Sequence, residues 1–223
     1  RDHVAEPSFR RPRRSPRFNG AMLRVLAATS VFLLAVTGCG KEGPPQPTGE
    51  AACTKVDAPL MDAGTHFDSE PRVRIPAPKG WERYTQMDSD VVRLAIINQS
   101  LTYQGFTPNA VYTLDKLPGN IDAAKALKQE RDGLEKMGGA KDLTVTADTV
   151  CGLPGQTIRY TGTVPPSVGP HPGVMREAVL TSGDNTYVVS LVIQTTRPDD
   201  PVFQKDSKTI LDGLQILPPA DKG

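Results

Sequence analysis

The sequence predicts an α+β fold in which an antiparallel β-sheet is flanked by α-helices. Several segments that alternate polar and apolar residues precede a segment with one apolar helical face, and further strand-like segments lead to a second helix. Strands and helices grouped in this way favour an antiparallel sheet covered by helices. Residues 57–218 provide enough chain for one domain with its own hydrophobic core.

The first half of this domain is predicted to contain three strands and a helix. The strands are Arg72–Pro76, the apolar run Val91–Ile97, which we expect to be central, and Asn109–Leu117. The helix covers Ile121–Met137, begins at the N-cap Asn120 and ends at Gly138-Gly139. Its apolar face is predicted to consist of Ile121, Ala124, Leu127, Leu134 and Met137.

The second half is predicted to contain four strands and another helix. The strands are Leu143–Thr146, Gly155–Val164, Val174–Thr181 and Thr186–Gln194. A Gly152-Leu-Pro-Gly155 turn leads into the second of these, and Ser182–Asn185 forms a hairpin turn before the last. Asp200 caps the helix, Pro201 occupies its first position and Gly213 ends it. Its buried stripe is predicted to be Phe203, Ile210 and Leu214.

Residues 1–38 are interpreted as a disordered basic segment followed by a secretory signal peptide. Arg24 precedes an apolar run of 13 residues, Val25–Thr37, which is too short to span a bilayer. The preceding 21 residues include six Arg, and Met22 is a plausible true start. A twin-arginine signal is the alternative, although Pro12 fits that motif poorly.

The end of the apolar run predicts a lipid anchor. Val36-Thr37-Gly38-Cys39 resembles the bacterial lipobox, in which the Cys thiol receives a diacylglycerol and becomes the mature N-terminus. The alternative is an ordinary signal peptide that happens to contain a Cys. We therefore expect an exported protein, held at the outer face of the cell membrane by Cys39. Residues 39–56 form a Pro- and Gly-rich flexible linker, and residues 219–223 form a tail.

The charge distribution argues against nucleic-acid binding. The formal net charge is +1, but residues 1–38 hold seven Arg against Asp2 and Glu6. Subtraction from 26 basic and 25 acidic residues leaves 19 and 23, a net charge of −4 for residues 39–223. A mature chain with this balance has no electrostatic attraction to phosphate backbones.

The cysteine count predicts one disulfide. With Cys39 lipidated, only Cys53 and Cys151 remain, and an exported domain meets an oxidising compartment. The bridge would enclose 97 residues. Two free thiols or a redox pair are the alternatives, but the C-x-x-C spacing that a redox pair favours is absent from the sequence.

Motifs for catalysis, metal binding or cofactor binding are missing from the sequence. His66 and His171, the histidines that remain after residue 38, are both expected in solvated loops. The sequence has no H-E-x-x-H, no G-x-S-x-G and no phosphate-binding loop of the Walker type, so we predict no catalytic residue, no metal ligand and no cofactor. Trp81, the single Trp, is expected in the core rather than at a ligand. Pro165–Gly173 is either a rigid hairpin connection or a recognition loop.

Three segments resemble the LpqN/LpqT-type lipoproteins of actinobacteria. Ile75-Pro-Ala-Pro-Lys-Gly-Trp81 is similar to their I-P-x-P-x-G-W, Ile121-Asp-Ala-Ala-Lys-Ala-Leu127 to their I-D-x-A-x-x-L, and Gly152-Leu-Pro154 to their G-F-P turn. With the lipobox, the resemblance covers about residues 22–217. It implies a fold like that of PsbP, an α/β/α sandwich, and a lipid-anchored accessory or binding protein of the cell envelope. The family has no established catalytic residues.

Two classes of function follow. The first is a non-enzymatic, lipid-anchored envelope protein that binds a partner protein or a lipid-like ligand, with no affinity for nucleic acid. The second is an envelope hydrolase or transferase whose active site has an unfamiliar motif. The scarcity of His and the missing motifs favour the first class. A surface protein without a specific ligand is a third possibility that the sequence does not separate from the first.

Overall fold

The computed structural model describes residues 49–136, 139–163 and 168–220. The predicted signal peptide, the lipobox with Cys39 and residues 40–48 of the linker lie outside the described residues. So do Met137, Gly138 and residues 164–167. The described chain begins with a short 3₁₀ turn at Gly49–Ala52.

Ten strands and two helices follow in this part of the chain. The strands are β1 Leu60–Asp62, β2 Arg72–Pro76, β3 Glu82–Arg83, β4 Val92–Ile97, β5 Asn109–Pro118, β6 Lys141–Val150, β7 Leu153–Gly162, β8 His171–Ser182, β9 Asn185–Gln194 and β10 Gln215–Leu217. The helices are α1 Ala123–Lys136 and α2 Pro201–Asp212. Seven strands form a sheet in the order β3-β4-β5-β9-β8-β7-β6, and β1, β2 and β10 form a second sheet in the order β1-β2-β10. Every pairing is antiparallel.

Strand β9 is buried on both faces because it lies in the middle of the larger sheet. Tyr187, Val189, Leu191 and Ile193 point into the main core, where they meet Phe203 and Ile210 of α2. Val188 points to the opposite face and packs with Ala126 and Leu127 of α1. Burial on both sides explains why β9 is a nearly continuous apolar run rather than an alternating one.

The two helices therefore cover opposite faces of the larger sheet, and the smaller sheet packs beside α2. Val73, Ile75 and Ile216 of the smaller sheet belong to the same core as α2. The predicted α+β fold with an antiparallel sheet flanked by helices is confirmed.

Several sequence predictions are wrong in detail. Strand β4 is not central, because only the two-residue strand β3 lies beyond it. Helix α1 begins at Ala123, and its cap is Asp122, whose Oδ1 accepts from the Lys125 N–H at 3.1 Å, rather than Asn120. Ala124 is exposed and Ala126 occupies the buried position instead. Ala123, Ala126 and Leu127 lie at positions i, i+3 and i+4 of the helix and form the face that packs on Val188.

The turn before β7 also differs from the prediction. Val150 pairs with Leu153, so the turn consists of Cys151 and Gly152, and Pro154 and Gly155 already belong to the strand. Both turn residues have positive φ, 52° and 81°. Such a two-residue hairpin matches the twist of its strands, and a non-glycine residue rarely adopts this conformation.

Residues 49–56, predicted as part of the linker, pack against the domain. Cys53 is only 7% exposed and Cys151 only 6%. The structure joins their sulfurs in a disulfide with an S–S distance of 2.00 Å. Further along, a Cβ placed on Gly213 would lie 2.4 Å from Val56 Cγ2, so Val56 fits closely against the end of α2. The ordered domain therefore begins before residue 57.

Candidate functional site

Three contacts fix the position of helix α2. The Asp200 carboxylate caps its first turn by accepting from the N–H groups of Val202 and Phe203, as the sequence predicts. In its middle, the buried Asp206 Oδ2 accepts from Trp81 Nε1 at 2.9 Å. At its C-terminal end, Arg176 Nη1 donates to the Leu211 carbonyl at 2.6 Å, where a cation also complements the helix dipole.

A groove runs between one side of α2 and the larger sheet. We call it the Arg159 groove; its volume is about 410 Å³. Its floor is a row of paired residues, Arg159 on β7, Val174 on β8 and Ile193 on β9. The lining residues are Arg159, Pro172, Val174, Ile193, Thr195, Pro198, Phe203, Gln204, Ser207, Lys208, Leu211 and Asp212.

The Arg159 groove combines an apolar interior with a polar edge. Half of its lining residues are apolar, with Phe203 and Leu211 facing Val174 and Ile193. Lys208 forms an ion pair with Asp212 on the helix. Arg159 is exposed, and its guanidinium makes no hydrogen bond or ion pair with any described residue. Ligand sites are typically 300–1,000 Å³ in volume, mostly apolar, with a few polar groups, and this groove has those properties.

A second cluster of polar side chains lies on the other face of the sheet, beneath α1. Glu177 is 0% exposed, and its two oxygens accept from Ser190 Oγ at 2.9 Å and from Gln156 Nε2 at 2.5 Å. Gln156 Nε2 also donates to the Leu127 carbonyl at 2.9 Å, and Arg131 Nη1 donates to Gln156 Oε1. The network ties α1 to β7, β8 and β9.

Burial shifts the titration of the carboxyl groups in this region. Burial raises the pKa of Glu177 and the pKa of Asp115 above their usual range. Burial, together with the nearby charges of Asp115 and Glu177, raises the pKa of Glu130 to about 7. Perturbed carboxyl groups can mark an active site. Here both oxygens of Glu177 are already occupied by internal donors, and the side chain has no exposed surface, so the network fastens α1 and leaves no position for a substrate.

The two histidines that were predicted to lie in solvated loops differ in their burial. His66 is exposed, as expected. The prediction for His171 is wrong, because His171 is the first residue of β8, is only 2% exposed and packs on Phe106 with ring centroids 5.1 Å apart. Its Nδ1 donates to the Gly169 carbonyl at 2.9 Å, while Nε2 has no hydrogen-bond partner among the described residues.

The remaining candidates have structural or peripheral positions. Trp81 is 4% exposed and belongs to the main core, as expected. Of the predicted connection Pro165–Gly173, residues 168–170 lead into β8, and residues 171–173 already belong to that strand. Pro172, the second residue of β8, lines the Arg159 groove.

Within the described ranges, no group of three or more His, Cys, Asp or Glu side chains is arranged to hold a metal ion. In the same part of the chain, neither helix has the length and apolar character of a membrane-spanning segment.

The sequence did not point to the Arg159 groove. Its residues come from β7, β8, β9, α2 and the connection before α2, which are far apart in the chain. The alternation in β7 places Arg159 between the buried residues Ile158 and Tyr160, and this gives the direction of its side chain. Which of the two helices faces Arg159 across the groove depends on the topology of the fold.

Comparisons with known proteins support a family and a fold. A family model described as probable lipoprotein LpqN matches residues 62–217. The solved structure of LpqN from Mycobacterium tuberculosis, described as involved in cell envelope biogenesis, is similar with a TM-score of 0.58 and 18% identity, and covers 72% of this chain and 91% of that chain. No curated protein matches the chain.

Two other solved structures match with lower scores. The cyanobacterial PsbP protein CyanoP from Synechocystis has a TM-score of 0.44 and 14% identity, covering 74% of this chain and 96% of that chain. The Ran-binding protein Mog1p of Saccharomyces cerevisiae has a TM-score of 0.42 and 14% identity, covering 69% of this chain and 86% of that chain.

Proposed function

Because the chain belongs to the LpqN family of probable lipoproteins, we propose that it is a non-enzymatic, lipid-anchored protein of the cell envelope that binds a lipid-like ligand in the Arg159 groove. The anchor is a diacylglycerol on Cys39, at the end of the signal peptide. The two acyl chains of the diacylglycerol make membrane attachment durable, since a single chain gives only reversible binding. The LpqN protein of M. tuberculosis is described as involved in cell envelope biogenesis, and we propose the same setting for this chain.

The observation that carries the ligand proposal is the apolar interior of the Arg159 groove. Val174, Ile193, Phe203 and Leu211 provide a surface for an acyl chain. Burial of apolar ligand surface there contributes roughly 25 cal/mol per Å² before the cost of ordering the ligand. Arg159, at the β7 end of the groove floor, is exposed and offers a cation to a polar headgroup.

Two alternatives have less support. A hydrolase or transferase needs a nucleophile, a base and an orienting group within hydrogen-bond reach around an open site. The groove is lined by Ser207 and Thr195 but by no His, and Asp212 in it is paired with Lys208. A partner protein could contact the Pro165–Gly173 connection. Deletion of that whole segment would remove the buried His171, so the segment is poorly suited to a deletion test.

Substitution of Cys39 tests the anchor. We expect Cys39→Ser to release the protein from membranes or to leave an uncleaved precursor, because serine provides no thiol for diacylglycerol transfer. Membrane fractionation together with the intact mass of the mature protein measures both outcomes. An unlipidated wild-type N-terminus at another residue would contradict the proposal.

A groove-filling variant tests the ligand site. A fluorescent palmitate analogue is titrated into the domain. We expect Ser207→Phe to weaken its binding at least about tenfold, because the new ring occupies apolar space that the acyl chain would use. Ser207 is a half-buried residue at the groove edge whose substitution leaves the core untouched.

The matched control is Ala124→Phe, which adds a phenyl ring to the exposed surface of α1 on the opposite face of the sheet. It should bind the analogue as tightly as the wild type does. Equal loss in both variants, or no binding by the wild type, would contradict the lipid-like ligand.

A further inference from the structure

A second groove lies on the other side of helix α2, beside the segment through which the chain enters the domain. We call it the Lys79 groove; its volume is about 580 Å³. It is lined by Asp57, Ala58, Pro59, Pro78, Lys79, Pro201, Val202, Lys205, Asp206 and Thr209. We propose that this groove docks on the anionic phospholipid headgroups of the membrane that carries the protein.

The first argument is charge. Lys79 and Lys205 are both exposed, and the ammonium group of neither forms an ion pair or hydrogen bond with a described residue. Of the two acidic residues that line the groove, Asp206 is buried and accepts from Trp81. Only Asp57 offers an exposed negative charge. The groove therefore presents two cationic groups that the protein itself does not neutralise, and the phosphates of anionic lipids complement them.

The second argument is the apolar surface between the lysines. Val202 is 51% exposed although it stands in the first turn of α2, and Pro59 and Pro201 beside it are exposed as well. Leu60, which follows Pro59, is 39% exposed. Exposed aliphatic side chains flanked by lysines are typical of surfaces that enter the headgroup region of a bilayer.

The third argument is the position of the groove along the chain, and it rests on the proposed lipid at Cys39. Nine residues lie between Cys39 and Gly49, so the two positions are at most about 35 Å apart along a fully extended chain. From Gly49 the chain runs through the buried Cys53 to Asp57 and Pro59, which line the groove. The first described segment after Cys39 thus forms one wall of the Lys79 groove, and this brings the groove to the membrane more readily than the α1 side of the sheet.

The test uses the mature chain from residue 39 with Cys39→Ser, so that no lipid on the protein contributes. Its binding to vesicles of phosphatidylglycerol and phosphatidylcholine is compared with its binding to vesicles of phosphatidylcholine alone, by sedimentation. We expect binding to the anionic vesicles only, and weaker binding as NaCl is added. Lys79→Gln/Lys205→Gln should reduce the partition coefficient roughly tenfold to thirtyfold.

The matched control is Lys125→Gln/Lys128→Gln, which removes the same net charge from exposed positions on α1. It should retain nearly wild-type binding, and thermal unfolding should show that both double variants are folded. Equal loss in the two double variants would reduce the effect to net charge and overturn the proposal. Absence of binding to anionic vesicles, or full competition by inorganic phosphate at matched phosphate concentration, would overturn it as well. Failure of Cys39 lipidation or of palmitate binding in the Arg159 groove would leave these results unchanged.

Discussion

Removal of the Cys53–Cys151 disulfide is expected to cost about 4 kcal/mol of unfolding free energy. The bridge encloses 97 residues, and a loop of about 100 residues corresponds to roughly 4.7 kcal/mol in the chain-entropy model. For a domain of this size, each kcal/mol lowers the melting temperature by about 2–4 °C. We therefore expect Cys53→Ala/Cys151→Ala to melt roughly 8–16 °C below the wild type, measured by circular dichroism.

Reduction provides the internal control for this effect. A thiol reductant should lower the melting temperature of the wild type to nearly that of the double variant, and it should leave the double variant unchanged. Free thiols at both positions in exported protein, detected by non-reducing peptide mapping, would contradict the bridge. An unchanged melting temperature after reduction would show that the loop closure contributes little.

Trp81→Ala is expected to destabilise the domain by about 3–5 kcal/mol, the usual cost of deleting a large core aromatic side chain. Trp81 is 4% exposed, and its indole N–H is the donor to the buried carboxylate of Asp206. Truncation leaves a cavity in the main core and an unsatisfied acceptor on α2. Urea unfolding measures the loss directly.

A double-mutant cycle separates packing from hydrogen bonding. Trp81→Phe keeps most of the apolar surface and loses the N–H, while Asp206→Ala loses the acceptor. A hydrogen bond to a charged group contributes about 1.5–3 kcal/mol, so the two substitutions should be less than additive by an amount of that order. Full additivity would show that the contact contributes nothing to stability.

The strands of the larger sheet were mostly predictable because period-2 alternation or a long apolar run marks them. In the smaller sheet only β2 was predicted, since β1 and β10 have three residues each, and β3 in the larger sheet was missed because it has two. Segments this short carry no recognisable period. The cap of α1 was misplaced because Asn120 and Asp122 are both good cap residues, and only the tertiary contacts decide between them.

The candidate sites show a different limit of sequence reasoning. Trp81 was expected in the core, but its partner Asp206 lies 125 residues away and has no local signal. His171 looked solvated because Gly and Pro surround it, whereas the pairing of β8 with β7 and the ring of Phe106 bury it. The two grooves beside α2 depend on the crossing of elements that are distant in the chain, so no motif could have indicated them.

The disulfide has a mechanical consequence for any load that is applied to the domain from its N-terminal side. A load applied through the N-terminal segment reaches Cys53 and passes through the covalent S–S bond into the hairpin turn at Cys151. The 97 residues between the two cysteines are then excluded from extension, which removes about 340 Å of contour length from the stretched chain. Such a load would lengthen only the residues before Cys53 and the part of the domain that follows Cys151.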